Sequence, residues 1–566
     1  MRFLKISFRS HLRTSYHARD VKLFFHSTSK ILNLQQKKQI LPCNQSVTAP
    51  NSNKNTHQLE NSNRPLDYRE LGLQQELFFV SKYSPGSPIF LPNGARIFNK
   101  LVEFLRSQYE YFGFQEVISP IMYKSSLWKT SGHWENYADD MYAVIQRSDP
   151  ESQQNEQKDQ DEEYGLKPMN CPGHCLIFAS KARSYRDLPL RYADFSPLHR
   201  NEGTGTLSGL TRVRCFHQDD GHIFCRPSQI KEEIRKSLEF VKLTYSVLGL
   251  EPYRLVLSTR PQEKYIGSIE EWKYAEAALV ESLNDCGSNW TIDEGGGAFY
   301  GPKIDIILQD TGGKDHQTAT IQLDFQLPKR FELQYQAPAP AQEQNGQLCN
   351  DRSLLNVEGP VTPILIHRAV LGSVERIMAL LIEKYNGIWP FWLNPRQIAI
   401  ITVNNSPEVL EFACQAKNII QGFGTSNSEQ ERYLDKRIKT RGININIKVF
   451  DKTTSVSHKI AVAKSQRYGI IVLVGPKDIQ SQTLSVDFSG IPNRSQYTDD
   501  ILKKIPLKAK SHTVGELIKW EEIDCSAEHI DPSKQETKFS ATKQSHIALP
   551  PEWLRSIVHE LIKVYS

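Results

Sequence analysis

Residues 189–225 read PLRYADFSPLHRNEGTGTLSGLTRVRCFHQDDGHIFC, and their pattern decides the fold. Two extended arms flank a Gly/Thr/Ser-rich turn at 203–209, which predicts a β-hairpin with a long loop. Side chains alternate across a strand. Arg200 and Glu202 therefore share one face, and Arg212, Arg214, Phe216, Gln218, Asp220 and, if the strand continues, His222 share another. Such a face carries cations, an aromatic ring, an amide and an acid. The solvated side of an antiparallel sheet would look the same, so this stretch alone leaves both readings open.

Other segments add to the polar face. Residues 319–325, ATIQLDF, put Ile321, Leu323 and Phe325 on one side and Thr320, Gln322 and Asp324 on the other. Residues 294–306, EGGGAFYGPKIDI, form a glycine-rich turn that lets a ligand approach backbone, with Tyr300 and Lys303 beside it. Residues 363–385, PILIHRAVLGSVERIMALLIEKY, run from a strand into an amphipathic helix whose first turn holds Ser373 and Arg376, where the helix dipole favours an anion. A lone helical arginine is usually just solvated. Here Arg376 joins Arg200 and Arg212 as a third cation suited to a triphosphate, because guanidinium groups clamp phosphate through paired hydrogen bonds.

Upstream, Ile97, Leu101, Phe104 and Leu105 have helical spacing and precede GFQEVISPIM, a strand-like run through Pro120. Downstream of Pro395 the texture changes. QIAIITV, INIKVF and IIVLVG are β-branched runs separated by helix-like segments near 407–421 and 455–467, which predicts a separate α/β domain with largely parallel strands. Polar biased stretches at 147–163 and 336–356 read as surface insertions.

The 566 residues, 39% of them apolar, are enough for about three or four globular domains. No run approaches the roughly 18–20 apolar residues of a membrane span. The formal charge of +5 is misleading, because residues 1–59 hold ten Lys and Arg against Asp20 alone and the remainder is net negative. A general nucleic-acid-coating role therefore gains no support from charge. The Arg- and Ser-rich, acid-poor start has the composition of an organellar transit peptide over 1–43, followed by an Asn/Ser-rich linker over 44–66. Nine cysteines without paired spacing do not form a disulfide framework.

The three blocks around Pro120, around Arg200 with Glu202, and from Gly372 to Arg376 resemble the three signature motifs of class II aminoacyl-tRNA synthetases. MNCPGH, EGGGAFYGPKIDI, TIQLDFQLP and HRAVLGSVER resemble the threonyl branch in particular. The resemblance covers residues 67–395 closely and 396–490 more loosely. It implies an α+β fold: a class II catalytic domain at 67–394, an antiparallel sheet flanked by helices, then a smaller α/β anticodon-binding domain within 395–566 with an unassigned C-terminal extension. The absence of a GxxxxGK phosphate loop agrees. It also implies a homodimer across the Pro120 segment and, given the leader, work on a mitochondrial tRNA(Thr) in the matrix.

Carried over by resemblance, Arg200 holds the α-phosphate and the threonine carboxylate, Glu202 reads the adenine amino group and Phe216 stacks on the ring. Arg212 and Arg376 hold the outer phosphates, with magnesium accompanying ATP; Gln317, Thr320 and Ser373 line the pocket. Met169, Gln218, Asp220, Tyr300 and Gln322 surround threonine. The family's zinc ligands match Cys171, His222 and His367, whose wide separations would not suggest a metal by themselves. Three protein ligands leave coordination open for the amino and hydroxyl groups of threonine. His133 in SGHW matches a family histidine near the tRNA terminal ribose that assists proton transfer, which makes it a catalytic candidate with Arg200 and Arg376, while His174 and Cys175 read as packing residues.

No segment matches the family's domain for hydrolysing mischarged seryl-tRNA, so serine activation without self-correction is expected. A prolyl or seryl enzyme fits poorly, since a metal that reads an amino alcohol is of no use for proline. A catalytically inactive synthetase-like binding protein usually lacks the charged groups, whereas Arg200, Arg212 and Arg376 are all here.

Overall fold

The computed structural model describes residues 67–145, 163–287, 289–423, 444–491, 546–563 and 565, all within one unit spanning Pro65–Ser566. The expected leader, the linker up to residue 66, all but the last residue of the 147–163 insertion, and residues 512–522 (HTVGELIKWEE) of the C-terminal extension lie outside these residues.

Helix α1, Pro92–Phe112, starts on a proline whose missing N–H costs nothing in the first turn and ends at Gly113. It buries Ile97, Leu101, Phe104 and Leu105, the helical stripe of the sequence. Strand β1 (Gln115–Glu116) follows. Helix α2 (Cys171–Ala179) and strands β2 (Leu190–Asp194), β3 (Pro197–His199) and β4 (Cys215–Cys225) come next. After them run α3 (Ile230–Val247), β5 (Arg254–Ser258), α4 (Ile269–Asp285), β6 (Trp290–Asp293), β7 (Lys303–Gln309) and β8 (Asp315–Asp324). Strand β9 (Ile364–Ser373) then passes directly into α5 (Val374–Lys384).

These strands form one nine-stranded sheet in the order β6-β5-β7-β8-β9-β4-β2-β1, with β3 paired to the start of β4. Pairing is antiparallel except at the two edges, β5 with β6 and β1 with β2. Along β9, Ile364, Ile366 and Val370 join the main core with residues of α1, α3, α4 and α5 on one side of the sheet. His367 and Ala369 occupy the other face. That alternation leaves one face of the sheet for chemistry.

The region after Pro395 forms a five-stranded sheet. Strands β10 (Ile398–Thr402), β11 (Ile447–Phe450) and β12 (Ile470–Val474) are parallel, as their β-branched runs predicted. Helices α6 (Pro407–Gln421) and α7 (Val456–Ser465) lie between them in sequence. Strands β13 (Leu484–Asp487) and β14 (Ile547–Leu549) extend the sheet antiparallel. Helix α8 (Pro551–Lys563) packs on α6, burying Leu554, Ile557, Val558 and Leu561 in the same core as Phe412 and Ala416. The C-terminal extension, unassigned in the sequence, thus supplies both an edge strand and a core helix.

One composition-based expectation needs correction. Residues 336–356 are not wholly a surface insertion: Tyr335–Pro338 pairs with Glu358–Val361, and Ala337, Ala339 and Glu343 are buried. Glu343 receives Arg226 at 2.6 Å and the Tyr335 hydroxyl at 2.8 Å, so its charge is paired inside the protein. Only the later part, residues 350–358, holds no buried or half-buried residue.

Candidate active site

One cavity of about 250 Å³ brings together Arg200, Glu202, Arg212, Phe216, Gln317, Thr320, Ser373 and Arg376. All eight are residues expected to bind ATP. Gln218 and Gln322 line it as well. β9 turns into α5 at Gly372, which has φ 62°, and a Cβ there would lie 2.1 Å from the Thr318 carbonyl oxygen; glycine is required. Ser373 then caps α5, its hydroxyl accepting from the Arg376 amide at 3.2 Å. The cap fixes the turn that carries Arg376.

Arg376 donates from Nε to the Thr211 carbonyl at 3.1 Å and from Nη1 to the Gln317 carbonyl at 2.7 Å. Burial, followed by the charges of Arg200 and Arg212, lowers its pKa. Three guanidiniums that disfavour one another make a site where an anion relieves repulsion. The Arg200 guanidinium lies 5.0 Å from the centre of the Phe216 ring, and Arg212 pairs with Glu202 at 2.8 Å. That last pair is largely exposed and contributes at most about 1 kcal/mol, so an incoming phosphate can displace it.

The face predicted from strict alternation holds only from Cys215 onward. Residues 208–212 make a tight turn instead, closed by a Ser208–Arg212 bridge. Arg214 lies outside the cavity, its donors reaching the Glu202 carbonyl at 2.9 Å and Thr204 at 3.2 Å. From Gln218 the alternation is kept, and Asp220 and His222 face the same side.

At the next position along the sheet, Gln322, His367 and His222 stand opposite one another across β8, β9 and β4. Sγ of Cys171 and the two imidazoles come within 4.8 Å of one another, and all three residues are buried. The donor set and its surroundings fit a metal. Nε2 of His222 and Nδ1 of His367 face each other at 2.9 Å, while His367 Nε2 lies 2.8 Å from the Asp324 carboxylate. That carboxylate holds the proton on Nε2 and leaves the Nδ1 lone pair available, the usual support of a metal-binding histidine. Burial pushes the Cys171 thiol pKa up, so metal binding there releases a proton.

The expected threonine residues surround this cluster. The Tyr300 ring lies 4.8 Å from that of His367, and its hydroxyl donates to Gln322 Oε1. Asp220 is buried, accepts from the Asn170 amide at 3.3 Å, and has its pKa raised by burial. His133 is buried rather than on an exposed loop. Its Nδ1 is 2.8 Å from Ser131 Oγ and its Nε2 is 3.2 Å from Met169 Sδ. Burial, followed by the charges of His367, Arg200 and Arg330, lowers its pKa to about 3, so it is uncharged at neutral pH. Cys175 is buried beside Phe178 in a hydrophobic cluster, in keeping with a packing role.

Two anchoring carboxylates were not recognised from the sequence. Asp305 accepts from Thr320 at 3.1 Å, Ser258 at 2.9 Å and Lys303 at 2.8 Å, and also from Gln317, so one buried group orients two residues of the cavity. Asp324 does the same for His367. The ATIQLDF pattern gives the face of Asp324 but not its partner, and the IDI run gives neither for Asp305.

Residues 153–385 match the tRNA synthetase class II core domain shared by the G, H, P, S and T enzymes. The chain is 46% identical over 420 residues to a probable mitochondrial threonine–tRNA ligase of Schizosaccharomyces pombe, covering 74% of this chain and 84% of that protein. Against the mitochondrial threonine–tRNA ligase of Saccharomyces cerevisiae it is 46% identical over 423 residues, covering 73% and 84%. A crystal structure described as the RNA binding domain of threonyl-tRNA synthetase from Cryptosporidium parvum superposes with TM-score 0.63 at 40% identity, covering 75% of this chain and 93% of that one. The fold and cavity thus define a class II aminoacyl-tRNA synthetase core. With this identity and coverage, the chain belongs to the threonyl-tRNA synthetase family.

Proposed function

We infer that this protein activates threonine with ATP and joins it to the 3′ end of tRNA(Thr). The observation that carries the reading is the pairing, on one sheet face, of a three-arginine cavity with the Cys171, His222 and His367 cluster. Arg200 holds the α-phosphate against the threonine carboxylate, while Arg212 and Arg376 hold the outer phosphates with magnesium. Glu202 and Phe216 take the adenine, and Gln317, Thr320 and Ser373 complete its pocket. A carboxylate oxygen of threonine attacks the α-phosphorus; the bond to the bridging oxygen breaks and pyrophosphate leaves with the electron pair. The residues contribute position and preorganised charge rather than covalent chemistry.

Cys171, His222 and His367 would hold zinc, which would supply Lewis-acid recognition of the amino and hydroxyl groups of threonine. Asp220 accepts the hydrogen of that hydroxyl, with Met169, Gln218, Tyr300 and Gln322 around it. In the second step the terminal ribose hydroxyl of the tRNA attacks the adenylate carbonyl; the bond from that carbon to the phosphate oxygen breaks, AMP departs with the electron pair, and the hydroxyl proton passes to a phosphate oxygen of the AMP. His133, uncharged, is the hydrogen-bonding group beside that hydroxyl.

Residues 67–394 act as the catalytic domain and 395–566 carry the anticodon-binding region. Ile118, Ile121 and Met122, exposed around Pro120, favour a homodimer across that segment. The cationic leader over 1–43 and the mitochondrial relatives favour work in the mitochondrial matrix. The deciding experiment is amino-acid-dependent ATP–pyrophosphate exchange by the full chain, with threonine and proline, before and after zinc chelation. Threonine-specific exchange that chelation abolishes is expected. Exchange with neither amino acid would replace this reading with that of a synthetase-like binding protein.

A further inference from the structure

The turn at 208–212 is a thin partition. Thr211 lines the cavity described above and also a second cavity of about 170 Å³ on the other side, bordered by Tyr68, Arg69, Lys314 and Glu383. Leu210 anchors the turn in the main core, and Val213 packs with Leu198 and Phe216 just beyond it. The turn's polar ties come in part from Tyr68 and Arg69, far outside the three motifs.

The hydroxyl of Tyr68 donates to the Ser208 carbonyl at 3.1 Å, accepts from the buried Leu210 amide at 3.3 Å and accepts from Arg69 Nε at 3.3 Å. Its one donor and both acceptor positions are all used. Arg69 Nη2 adds a bond to Ser208 Oγ at 3.0 Å. Gly209, at φ 48°, lets the ring approach this closely, since a Cβ there would lie 2.2 Å from the Tyr68 hydroxyl. On the far side the turn is tied by Arg376 to the Thr211 carbonyl. One tie comes from a predicted phosphate ligand and the other from Tyr68.

We propose that Tyr68 is a positioning residue for ATP, its hydroxyl holding the 208–212 turn so that Arg212 and Thr211 are in place before the nucleotide arrives. The proposal rests on the reading of the cavity as an ATP site. Tyr68 itself touches no substrate. Its contribution is preorganisation, which acts on ATP affinity and leaves threonine binding alone.

The test compares the full chain with Tyr68→Phe, Gly209→Ala and Asp67→Ala. Tyr68→Phe keeps the ring stacked on Phe78 and removes only the hydroxyl. Gly209→Ala perturbs the same contact from the other side. Asp67→Ala removes the side-chain cap on the Arg69 amide at the start of the helix Tyr68–Gln74 and leaves the Tyr68 hydroxyl and Gly209 in place. The dissociation constant for magnesium-ATP without threonine, both KM values in pyrophosphate exchange, and the melting temperature are measured for each.

Tyr68→Phe and Gly209→Ala should each raise the ATP dissociation constant and KM about fivefold to thirtyfold, with the KM for threonine unchanged. Asp67→Ala should lower the melting temperature and leave ATP affinity as it was. Unchanged ATP affinity in Tyr68→Phe, or an equal loss in Asp67→Ala, would overturn the proposal. If the unaltered chain binds ATP but catalyses no exchange, the synthetase reading fails and Tyr68 is still judged on the dissociation constants. A chain that binds no ATP overturns both.

Discussion

Nε2 of His367 lies 2.8 Å from Oδ2 of Asp324, and both side chains are buried. The other Asp324 oxygen accepts the amides of Gln326 at 2.7 Å and Leu327 at 3.1 Å, so the carboxylate cannot rotate away. In Asp324→Asn those two amides keep the single amide oxygen and the NH2 group turns to His367. A donor facing Nε2 drives the imidazole proton to Nδ1, the atom needed for metal. We expect zinc affinity to fall about 10- to 100-fold, measured by competition with a chromophoric chelator, with threonine activation recovering in excess zinc. An Asn variant that retains zinc as tightly as the parent would remove the carboxylate from the account.

On the opposite side of the same strands, Asp219 and Arg368 form a buried ion pair at 2.8 Å, and Asp219 also accepts the amides of Val370 and Leu371 at 2.7 and 2.8 Å. The Arg368 guanidinium lies 4.1 Å from the centre of the Phe114 ring. Asp219→Ala leaves a buried cation without its counter-charge, holding only the main-chain carbonyl of residue 219, and two buried amides without their acceptor. It should cost about 3–5 kcal/mol, read as a lower urea midpoint. The double change Asp219→Leu with Arg368→Met should cost markedly less than Asp219→Ala alone, because no charge is then stranded. Equal or greater loss in the double variant would mean that ring packing on Arg368, not charge pairing, carries the stability.

Lys100 on α1 is also buried, its ammonium donating to the Trp392 carbonyl. Burial, followed by the charge of Arg96, lowers its pKa from 10.5 to about 8. The folded pKa lies below the unfolded one, so between about pH 8 and 10.5 the unfolded chain binds more protons and folded stability rises with pH. Relative to Lys100→Met, the parent should gain about 1–3 kcal/mol between pH 7.5 and 10. Parallel stability curves for the two proteins across that range would show that Lys100 does not titrate there.

Much of the site could be read from residue order because strands announce their faces. The alternation in ATIQLDF and in QDDGH placed Gln322, Asp324, Gln218, Asp220 and His222 correctly, and the strand-to-helix passage at Ser373 appears where the sequence put it. Alternation failed at 208–212, where a turn that depends on Gly209 and on Tyr68, 140 residues away from Ser208, replaces extended chain. Composition failed for 336–344, since Glu343 resembles a surface acid until Arg226 and Tyr335 are seen beside it. The metal cluster required the resemblance, because its three ligands meet only when β4, β9 and α2 come together. The C-terminal sheet gave its parallel strands through β-branched runs, whereas the short edge strand Ile547–Leu549 carries too little pattern to be recognised alone.

If the Cys171, His222 and His367 cluster holds zinc as proposed, it also sets which amino acids can be confused. Serine keeps the amino and hydroxyl groups that zinc and Asp220 would inspect and lacks one methyl. A missing methyl group in a pocket is worth roughly 1–3 kcal/mol, so kcat/KM for serine in pyrophosphate exchange should lie about 10- to 200-fold below that for threonine. Valine keeps the shape but replaces the hydroxyl with a methyl, leaving Asp220 without its donor and the metal without a ligand. A site built for a hydroxyl rejects such an analogue by about 10⁴-fold or more, so valine should give no measurable exchange. In Asp220→Ala the threonine rate should fall toward that of serine while valine stays unreactive, because the metal still demands an oxygen ligand. If valine were activated as well as serine, discrimination would rest on side-chain volume and the cluster would have no part in reading the substrate.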